Sequence, residues 1–422
     1  MNDDFFDVLC CEVVNIHGVF EIFLRSGTDF FIYRAFYGMI AKRRAANRAA
    51  RRSNARILPN GVFDMINLFG MTKKELTEAA VSLGEKPFRG AQLFEWLYHK
   101  RAEDIDAMTN LSKAFRERLK AAYVVDRGEV VLTQRDPVDG TRKFLIRFAD
   151  GECVESVLMR YEHGLSLCVS SQVGCAMGCA FCASTRGGLI RDLTAGEMLS
   201  QIALAEKAAG ERVASVVVMG IGEPLMNMDH LLTFLRLAGE GWGIGMRHFT
   251  VSTCGLVPEI DRLAEENLQI NLAVSLHSPF QETRETLMPV ARRYPLEELL
   301  KSCKKYFTKT GRRITFEYAL MAGVNDRPED IERLSALFKG RGAHINLINL
   351  NPVAESSLKH SENVNFFCHA LKKRGIHCTM RRTIGQNIDA ACGQLRQKQL
   401  ARSSSNHQNI ESKPMSLESE KS

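Results

Sequence analysis

The spacing of apolar positions changes twice along the chain, and each change predicts a different kind of secondary structure. Residues 72–123 carry apolar positions at helical spacing, and Thr72-Lys73-Lys74-Glu75 is a capping box that begins the first of three predicted helices. Residues 129–158 alternate apolar and polar positions around Asp139-Gly140, a pair typical of a hairpin turn. A small helical domain followed by a short antiparallel sheet is therefore predicted.

After Leu165 the chain alternates between predicted strands and helical patterns. Repeated βα units predict a parallel sheet with helices outside it, and functional residues of such folds lie at the carboxyl ends of the strands. The predicted fold class is therefore α/β, either a closed (β/α) barrel or an open partial (β/α) barrel, with a small N-terminal helical domain and a β extension. The predicted strands are Leu165–Ser171, Val213–Met219, His248–Ser252, Ile270–Leu276, Arg313–Leu320, Ile345–Leu350 and His377–Arg381.

These patterns divide the chain into five segments. Residues 1–64 contain a basic run, Lys42–Arg56, with seven Lys or Arg and no acid; we expect a disordered or untranslated leader, although an RNA-binding arm has the same composition. In the helical accessory domain, residues 65–126, basic side chains suit RNA phosphates, and equally suit an ordinary helix surface. The remaining segments are a β-hairpin extension at 127–164, the barrel at 165–396 and a disordered tail at 397–422.

The composition narrows the class of protein further. With 45% hydrophobic and 25% charged residues and a net charge of +7, the chain has an ordinary soluble balance that permits a polyanionic partner without requiring one. It has no apolar run of about 18 residues and no secretory signal, so we expect a cytoplasmic protein without a membrane span. In that compartment its 12 cysteines are more often ligands, catalysts or buried residues than structural disulfides.

Three cysteines stand close together directly after the first predicted strand of the alternating region, in Cys175-Ala-Met-Gly-Cys179-Ala-Phe-Cys182. Three thiolates at these spacings can hold three irons of a four-iron cluster and leave the fourth iron open to a small molecule. Zinc with a distant fourth ligand and buried, inert cysteines are the alternatives. The spacing, with an aromatic residue just before the last cysteine, favours the iron–sulfur cluster.

This motif resembles that of the radical S-adenosylmethionine (SAM) superfamily. In that family the open iron of the [4Fe-4S] cluster chelates SAM, and an electron from the cluster cleaves it to methionine and a 5′-deoxyadenosyl radical. Met219-Gly220-Ile221-Gly222-Glu223-Pro224, after the second predicted strand, resembles the family element that pairs with the SAM amino group. Alone this element indicates only a tight turn, but its place one βα unit after the cysteines makes it a specific signal.

Four further segments resemble the RlmN family of radical SAM adenine-C2 RNA methyltransferases. Residues 88–112 are similar to the N-terminal domain of that family, and the whole resemblance covers roughly residues 70–396. Ile384-Gly385-Gln386-Asn387 departs from the family pattern, which leaves open the sister family that methylates C8 of the same adenine and confers antibiotic resistance. The four segments are Val154–Val157, Leu167–Gly174, Ala273–His277 and Ile388–Leu395.

The resemblance implies a role for individual residues. The three cysteines of the motif would ligate the cluster. Cys392 would become S-methylated, Cys168 would be its partner thiol, and Glu155 would be the proton acceptor. SAM would be held at strand ends by Gly222, Glu223, Ser252, Ser275, Leu276, His277 and Asn351. We expect the other cysteines to be non-catalytic, namely Cys10, Cys11, Cys153, Cys254, Cys303, Cys368 and Cys378.

The implied chemistry consumes two SAM molecules per turnover. Carbon 2 of adenine is electron-poor and has no lone pair to attack a methyl group, so a radical must add there. One SAM would methylate Cys392, and the radical from a second SAM would take hydrogen from that S-methyl group. The carbon radical would add to the adenine, and the base would lose its C2 proton. Attack of Cys168 on the Cys392 sulfur would release the product and leave a disulfide to be reduced.

The resemblance also implies partners. The expected substrate is 23S rRNA at the peptidyl transferase centre, with the adenine 3′ to the anticodon of tRNA as a further one. We expect an electron donor such as flavodoxin or ferredoxin, a monomer, and no membrane. Two alternatives stay open here: a C8-specific rRNA methyltransferase, and a non-catalytic zinc-binding protein that binds RNA.

Overall fold

The computed structural model describes residues 55–57, 63–340, 342–350, 357–382, 385 and 388. The chain divides into two compact units, Met1–Ala55 and Arg56–Ser422, and the architecture below belongs to the second. Nearly all of the expected leader and the whole expected tail lie outside the described residues. The same holds for Asn351 and Cys392, so the roles expected of them stay predictions.

The described residues form 15 strands and 11 α-helices. The strands are β1 (Ala55–Ile57), β2 (Phe63–Asn67), β3 (Tyr123–Val124), β4 (Glu129–Arg135), β5 (Arg142–Arg147), β6 (Cys153–Tyr161), β7 (Gly164–Cys168), β8 (Gln172–Gly174), β9 (Leu189–Asp192), β10 (Val213–Val218), β11 (Phe249–Thr253), β12 (Asn271–Ser275), β13 (Ile314–Leu320), β14 (His344–Asn349) and β15 (His377–Met380). The helices are α1 (Lys73–Ser82), α2 (Phe88–Phe94), α3 (Lys113–Ala122), α4 (Ala195–Ala209), α5 (Met228–Arg236), α6 (Val257–Glu265), α7 (Gln281–Leu287), α8 (Val290–Arg293), α9 (Leu296–Thr310), α10 (Pro328–Phe338) and α11 (Val364–Lys373). No helix among the described residues is long and apolar enough to cross a membrane.

One ten-stranded sheet dominates the fold, in the order β15-β14-β13-β12-β11-β10-β7-β6-β5-β4. Its strands from β15 to β7 run parallel, which confirms the seven strands predicted after Leu165. Strands β6, β5 and β4 continue the sheet antiparallel, as the period-two pattern predicts. The predicted partial barrel with a β extension is therefore confirmed, with the extension joined to the barrel in a single sheet.

The predicted N-terminal helices form as α1, α2 and α3. Thr72 makes both hydrogen bonds of the predicted capping box with Glu75. The second predicted helix continues past α2 as one π-helical turn, Glu95–His99, which places Tyr98 inside the core. The Tyr98 hydroxyl donates to the Met71 carbonyl at 2.6 Å. The apolar faces of these helices belong to the same hydrophobic core as the barrel.

The barrel helices start and stop at local signals. Thr194 and Glu197 form a second capping box at the start of α4, and α4 ends at Gly210 in the left-handed region with φ +67°. Between the sheet and the helices lie fully buried apolar residues of successive strands: Leu167, Val216, Val251, Leu272 and Ile345. These residues fill the space between the sheet and the helices. The polar residues at the carboxyl ends of the strands lie outside this apolar packing, where functional residues of such folds are found.

Candidate active site

A cavity of about 270 Å³ lies at the carboxyl end of the parallel strands. It is lined by the cysteine loop, by the loop after β10, and by residues of β11 to β14 and the residue after β15. The structure thus gathers most of the predicted ligand residues in one place. Those that line the cavity are Cys175, Cys179, Cys182, Gly222, Glu223, Ser252, Ser275 and His277.

The cysteine loop is held by a two-stranded ribbon, β8 and β9, which the sequence pattern did not reveal. Gly174 has φ +78°, and a Cβ there would lie 2.0 Å from the Gly188 carbonyl oxygen, so only glycine fits. The Cys175 amide donates to the same carbonyl at 2.9 Å. Burial, together with the neighbouring thiols, raises the pKa of Cys175 to about 12.

These thiols fit a four-iron cluster. All three cysteines face one cavity, and burial raises the pKa of Cys175 and of Cys182, so the pocket opposes bare thiolates at these two positions. Among the residues that the structure describes, no three His, Cys, Asp or Glu side chains converge closely enough to share one metal ion. In a four-iron cluster each thiolate binds a different iron, so convergence on a single point is not needed.

Glu223 is held by backbone groups at the cavity wall. Gly222 has φ +107°, and a Cβ there would lie 2.6 Å from the Gln172 side chain, which explains the glycine. The Glu223 carboxylate is 1% exposed and accepts from the Cys254 amide at 2.7 Å and the Leu225 amide at 3.0 Å. Burial raises its pKa, and these hydrogen bonds oppose the rise. The remaining lone pairs of a carboxylate can accept from an ammonium group.

His277 adopts a strained backbone at the end of β12. Its φ is +53°, in the left-handed region that few non-glycine residues adopt. Its Nδ1 accepts from the Ala319 amide at 3.0 Å, so the proton of the neutral ring lies on Nε2. Burial lowers the pKa of His277 to about 3, which keeps the ring neutral. A neutral imidazole with a fixed N–H donor therefore faces the cavity.

Three residues that line the cavity were not predicted from the sequence. Cys254, expected to be non-catalytic, lies at the wall with its Sγ 3.9 Å from the Cys179 Sγ. Glu317, in the middle of β13, is 5% exposed, and its Oε2 accepts from the side-chain Nδ2 of Asn346 at 2.9 Å. Burial raises the pKa of Glu317, while Arg381, the third residue, opposes the rise. An acidic residue within an otherwise apolar strand was the available signal for Glu317.

Glu155 and Cys168 lie beside this cavity without lining it. Cys168 pairs with Val157 and with Val217, and Val157 pairs with Lys143, so Lys143, Val157 and Cys168 share one face of the sheet. Glu155, two residues before Val157, projects from the same face. Its carboxylate forms a buried ion pair with Lys143 at 2.7 Å. Lys143 is a further residue that the sequence reasoning missed.

The environment of Cys168 combines apolar burial with nearby cations. Burial raises the pKa of its thiol, whereas Arg381, the Met219 amide and Lys143 act in the opposite direction. Among the described residues no cysteine, Cys168 included, forms a disulfide. The implied disulfide with Cys392 stays a prediction, because Cys392 lies outside the described residues.

Leu276, which the resemblance also assigns to SAM, has its side chain in the hydrophobic core. Its backbone amide donates to the Glu317 carbonyl at 3.0 Å.

Comparison with known proteins gives evidence that does not depend on the geometry of the site. Residues 66–125 match the family model of the ribosomal RNA large subunit methyltransferase N-terminal domain, and residues 169–335 match that of the radical SAM superfamily. A probable dual-specificity RNA methyltransferase RlmN from Lachnospira eligens is 49% identical over 338 residues, which are 79% of this chain and 97% of the relative. The protein of the same name from Symbiobacterium thermophilum is 51% identical over 336 residues, 78% of this chain and 91% of the relative.

A solved structure agrees with these relatives. The crystal structure of a radical SAM methyltransferase from Sphaerobacter thermophilus superposes with a TM-score of 0.74 at 44% sequence identity. It covers 78% of this chain and 98% of the other. The cavity described above therefore belongs to a fold that is shared along nearly the whole length of a solved relative.

Proposed function

The chain belongs to the RlmN family of radical SAM RNA methyltransferases, and from that membership we propose that it methylates carbon 2 of an adenine in 23S rRNA. We further propose tRNA as a second substrate, in keeping with the dual specificity named for its relatives. The observation that carries the proposal is the convergence of the cysteine motif and the strand-end polar residues on one cavity. Membership in an enzyme family excludes the alternative of a non-catalytic zinc protein.

As a radical SAM enzyme the protein uses a [4Fe-4S] cluster and SAM. We propose Cys175, Cys179 and Cys182 as the cluster ligands and two SAM molecules per turnover. The cluster and SAM together supply a 5′-deoxyadenosyl radical. The residues proposed to hold SAM are Gly222, Glu223, Ser252, Ser275, Leu276, His277 and Asn351.

Two of these residues act through hydrogen bonds that the structure defines. The Glu223 carboxylate is held by two backbone amides and lies at the cavity wall, where it accepts from the SAM ammonium group. Neutral His277 donates a hydrogen bond to SAM from Nε2, because its Nδ1 already accepts from the Ala319 amide. Backbone amides fix the position of both groups before SAM arrives, so the site is preorganised.

The methyl carrier and its partner are the second part of the proposal. Cys392 carries the methyl group as a thioether, and Cys168 releases the product by attacking the Cys392 sulfur. The new bond between the two sulfurs replaces the bond to the transferred carbon, that carbon takes a proton, and the one unpaired electron of the adduct leaves to the electron-transfer partner. Arg381 and Lys143 favour the thiolate that this attack requires. Glu155 accepts the C2 proton, with its carboxylate held near Cys168 by Lys143. The resulting disulfide is reduced before the next turnover.

The RNA must present an unstacked base, because the cavity admits a base edge only when the base leaves its stack. We therefore propose that free or partly assembled rRNA is modified and that a finished ribosomal subunit is not. A monomeric enzyme and a flavodoxin or ferredoxin as electron donor are proposed on the family resemblance, as are the bounds of the domains.

One experiment tests substrate and regiochemistry together. Protein-free 23S rRNA and, separately, tRNA are incubated anaerobically with the enzyme, SAM and a reductant, and the digested nucleosides are analysed by mass spectrometry. We expect 2-methyladenosine from both RNAs. Finding 8-methyladenosine instead would move the chain to the sister family, and the absence of any methylated adenosine would overturn the proposal.

A further inference from the structure

The chain that leaves β15 is joined to the opposite edge of the ten-stranded sheet. Strand β15 lies at one edge and β4 at the other. Gly385, five residues after Met380, donates its backbone amide to the Asp139 Oδ2 at 2.7 Å. Asp139 lies in the turn between β4 and β5. The contact joins residues 246 positions apart, and it links the chain beyond one edge strand to the turn beside the other.

The anchored segment begins at the cavity and leads to Cys392. The Arg381 amide donates to the Leu347 carbonyl at 2.8 Å, and the Arg381 side chain lines the cavity. Gly385 is buried and has φ +63°, and its carbonyl accepts from the Ile388 amide at 3.3 Å. Cys392 follows Gly385 by seven residues, and it follows Arg381 by eleven.

A carrier thiol must stay within reach of several groups during one turnover. Seven residues span at most about 25 Å and eleven at most about 40 Å. An anchor at Gly385 therefore shortens the length of free chain between Cys392 and its last fixed residue. The anchoring bond is assisted by charge, since hydrogen bonds of Asp139 to the amides of Gly385 and Thr141 lower its pKa, against the effect of burial, and keep the carboxylate ionised.

We infer that Asp139 is a positioning residue: its hydrogen bond to Gly385 anchors the start of the chain that leads to Cys392. This inference rests on the proposed role of Cys392 as the methyl carrier. Asp139 touches no reacting atom in this role and acts only through the chain that carries Cys392. A hydrogen bond to a charged group changes the anchored population by about 10- to 100-fold, so its loss should slow every step that needs Cys392 in place.

The chain offers a matched control in the next turn of the same sheet. Asp150-Gly151 lies between β5 and β6, as Asp139-Gly140 lies between β4 and β5. In each turn the aspartate Oδ1 accepts from the amide two residues later: Thr141 at 2.9 Å and Glu152 at 3.1 Å. The second oxygen differs, because Asp150 Oδ2 accepts from Arg191 at 2.5 Å and Asp139 Oδ2 accepts from Gly385.

The test compares Asp139→Ala with Asp150→Ala in protein reconstituted anaerobically from the iron-free form. Each protein receives SAM with a deuterated methyl group, and labelling of Cys392 is followed over time by peptide mass spectrometry. Iron per chain and the Kd for SAM are measured on the same samples. We expect labelling at least about tenfold slower in Asp139→Ala, with iron and SAM binding unchanged, and wild-type behaviour of Asp150→Ala.

The other outcomes separate the explanations. Labelling of Asp139→Ala at the wild-type rate would overturn the inference while leaving the proposed function intact. Loss of iron or SAM binding in both Asp139→Ala and the isosteric Asp139→Asn would show a purely structural role and would also overturn it. If wild-type Cys392 is never labelled, the proposed function itself has failed.

Discussion

The buried ion pair between Lys143 and Glu155 allows the stability of the site to be separated from its chemistry. The two charges are 2.7 Å apart, and their side chains are 0% and 3% exposed. At an effective dielectric constant of about 20 their attraction is about 6 kcal/mol, offset by a desolvation cost of several kcal/mol for each ion. Removing one partner leaves the other charge inside without this counter-ion, and that costs about 3–5 kcal/mol.

We therefore expect Lys143→Met to lower the free energy of unfolding by about 3–5 kcal/mol, a large share of the roughly 5–15 kcal/mol typical of folded proteins. The matched control is the exposed pair Glu129–Arg147 of the same hairpin, at 2.6 Å with side chains 63% and 49% exposed. Glu129→Gln should leave the free energy of unfolding close to that of the wild type, because solvent screens an exposed pair. Anaerobic urea unfolding followed by tryptophan fluorescence measures both.

The double variant Lys143→Met with Glu155→Leu tests the chemistry. Apolar residues of similar volume remove both buried charges together, so stability should return to within about 1 kcal/mol of the wild type. If Glu155 accepts the C2 proton, this variant makes no methylated adenosine even though its stability is restored. A Lys143→Met protein as stable as Glu129→Gln would refute the reasoning about burial. An active double variant would refute the role of Glu155.

Three further predictions follow from the site. Replacing all three cysteines of Cys175–Cys182 by Ala should abolish iron binding after reconstitution with circular dichroism unchanged; iron retained in this variant contradicts the ligand assignment. The pKa of His277 is about 3 in the fold and 6.5 when unperturbed, so the unfolded state binds the proton first and stability falls as pH drops below about 6.5. Between pH 7 and 5.5 the wild type should lose about 1 kcal/mol more than His277→Gln in urea unfolding, and parallel losses would count against a buried neutral ring. Cys168→Ala should accumulate RNA covalently bound to Cys392, seen as a ribonuclease-sensitive shift on a denaturing gel, whereas Cys392→Ala should show no shift; an adduct in the latter would reverse the assignment.

The parts of the fold that the sequence predicted are those set by neighbouring residues. The capping box at Thr72 needs only Glu75, three residues on, and both hydrogen bonds form. The parallel strands follow from short apolar runs bounded by helical patterns, a signal contained within each βα unit. The π-helical turn at Glu95–His99 was predicted as ordinary helix, because its sequence has the same apolar spacing and only packing distinguishes the two.

The residues of the site also divide into those that a local motif predicts and those that only the fold brings together. The cysteine motif and the Gly222-Glu223 element are contiguous in sequence, and each brings its chemistry with it. Glu317 functions only through register, because pairing sets it between Ser275 on one strand and Asn346 on the other. Alternation along one strand says which residues share a face but does not say which neighbours they meet. Residues whose role depends on strand order are therefore invisible to motif reasoning.

The Asp139 side chain makes one contact that the local sequence predicts and one that depends on the fold. Its Oδ1 closes the turn on the Thr141 amide, and this is the local property that the Asp139-Gly140 pair predicts. Its Oδ2 meets Gly385, a contact that exists only because ten strands bring the two edges of the sheet within reach. Asp150-Gly151 carries the same local signal and makes no such contact with Gly385. Two identical dipeptides in adjacent turns thus differ in function through topology alone, and the Asp139 and Asp150 variants measure how large that difference is.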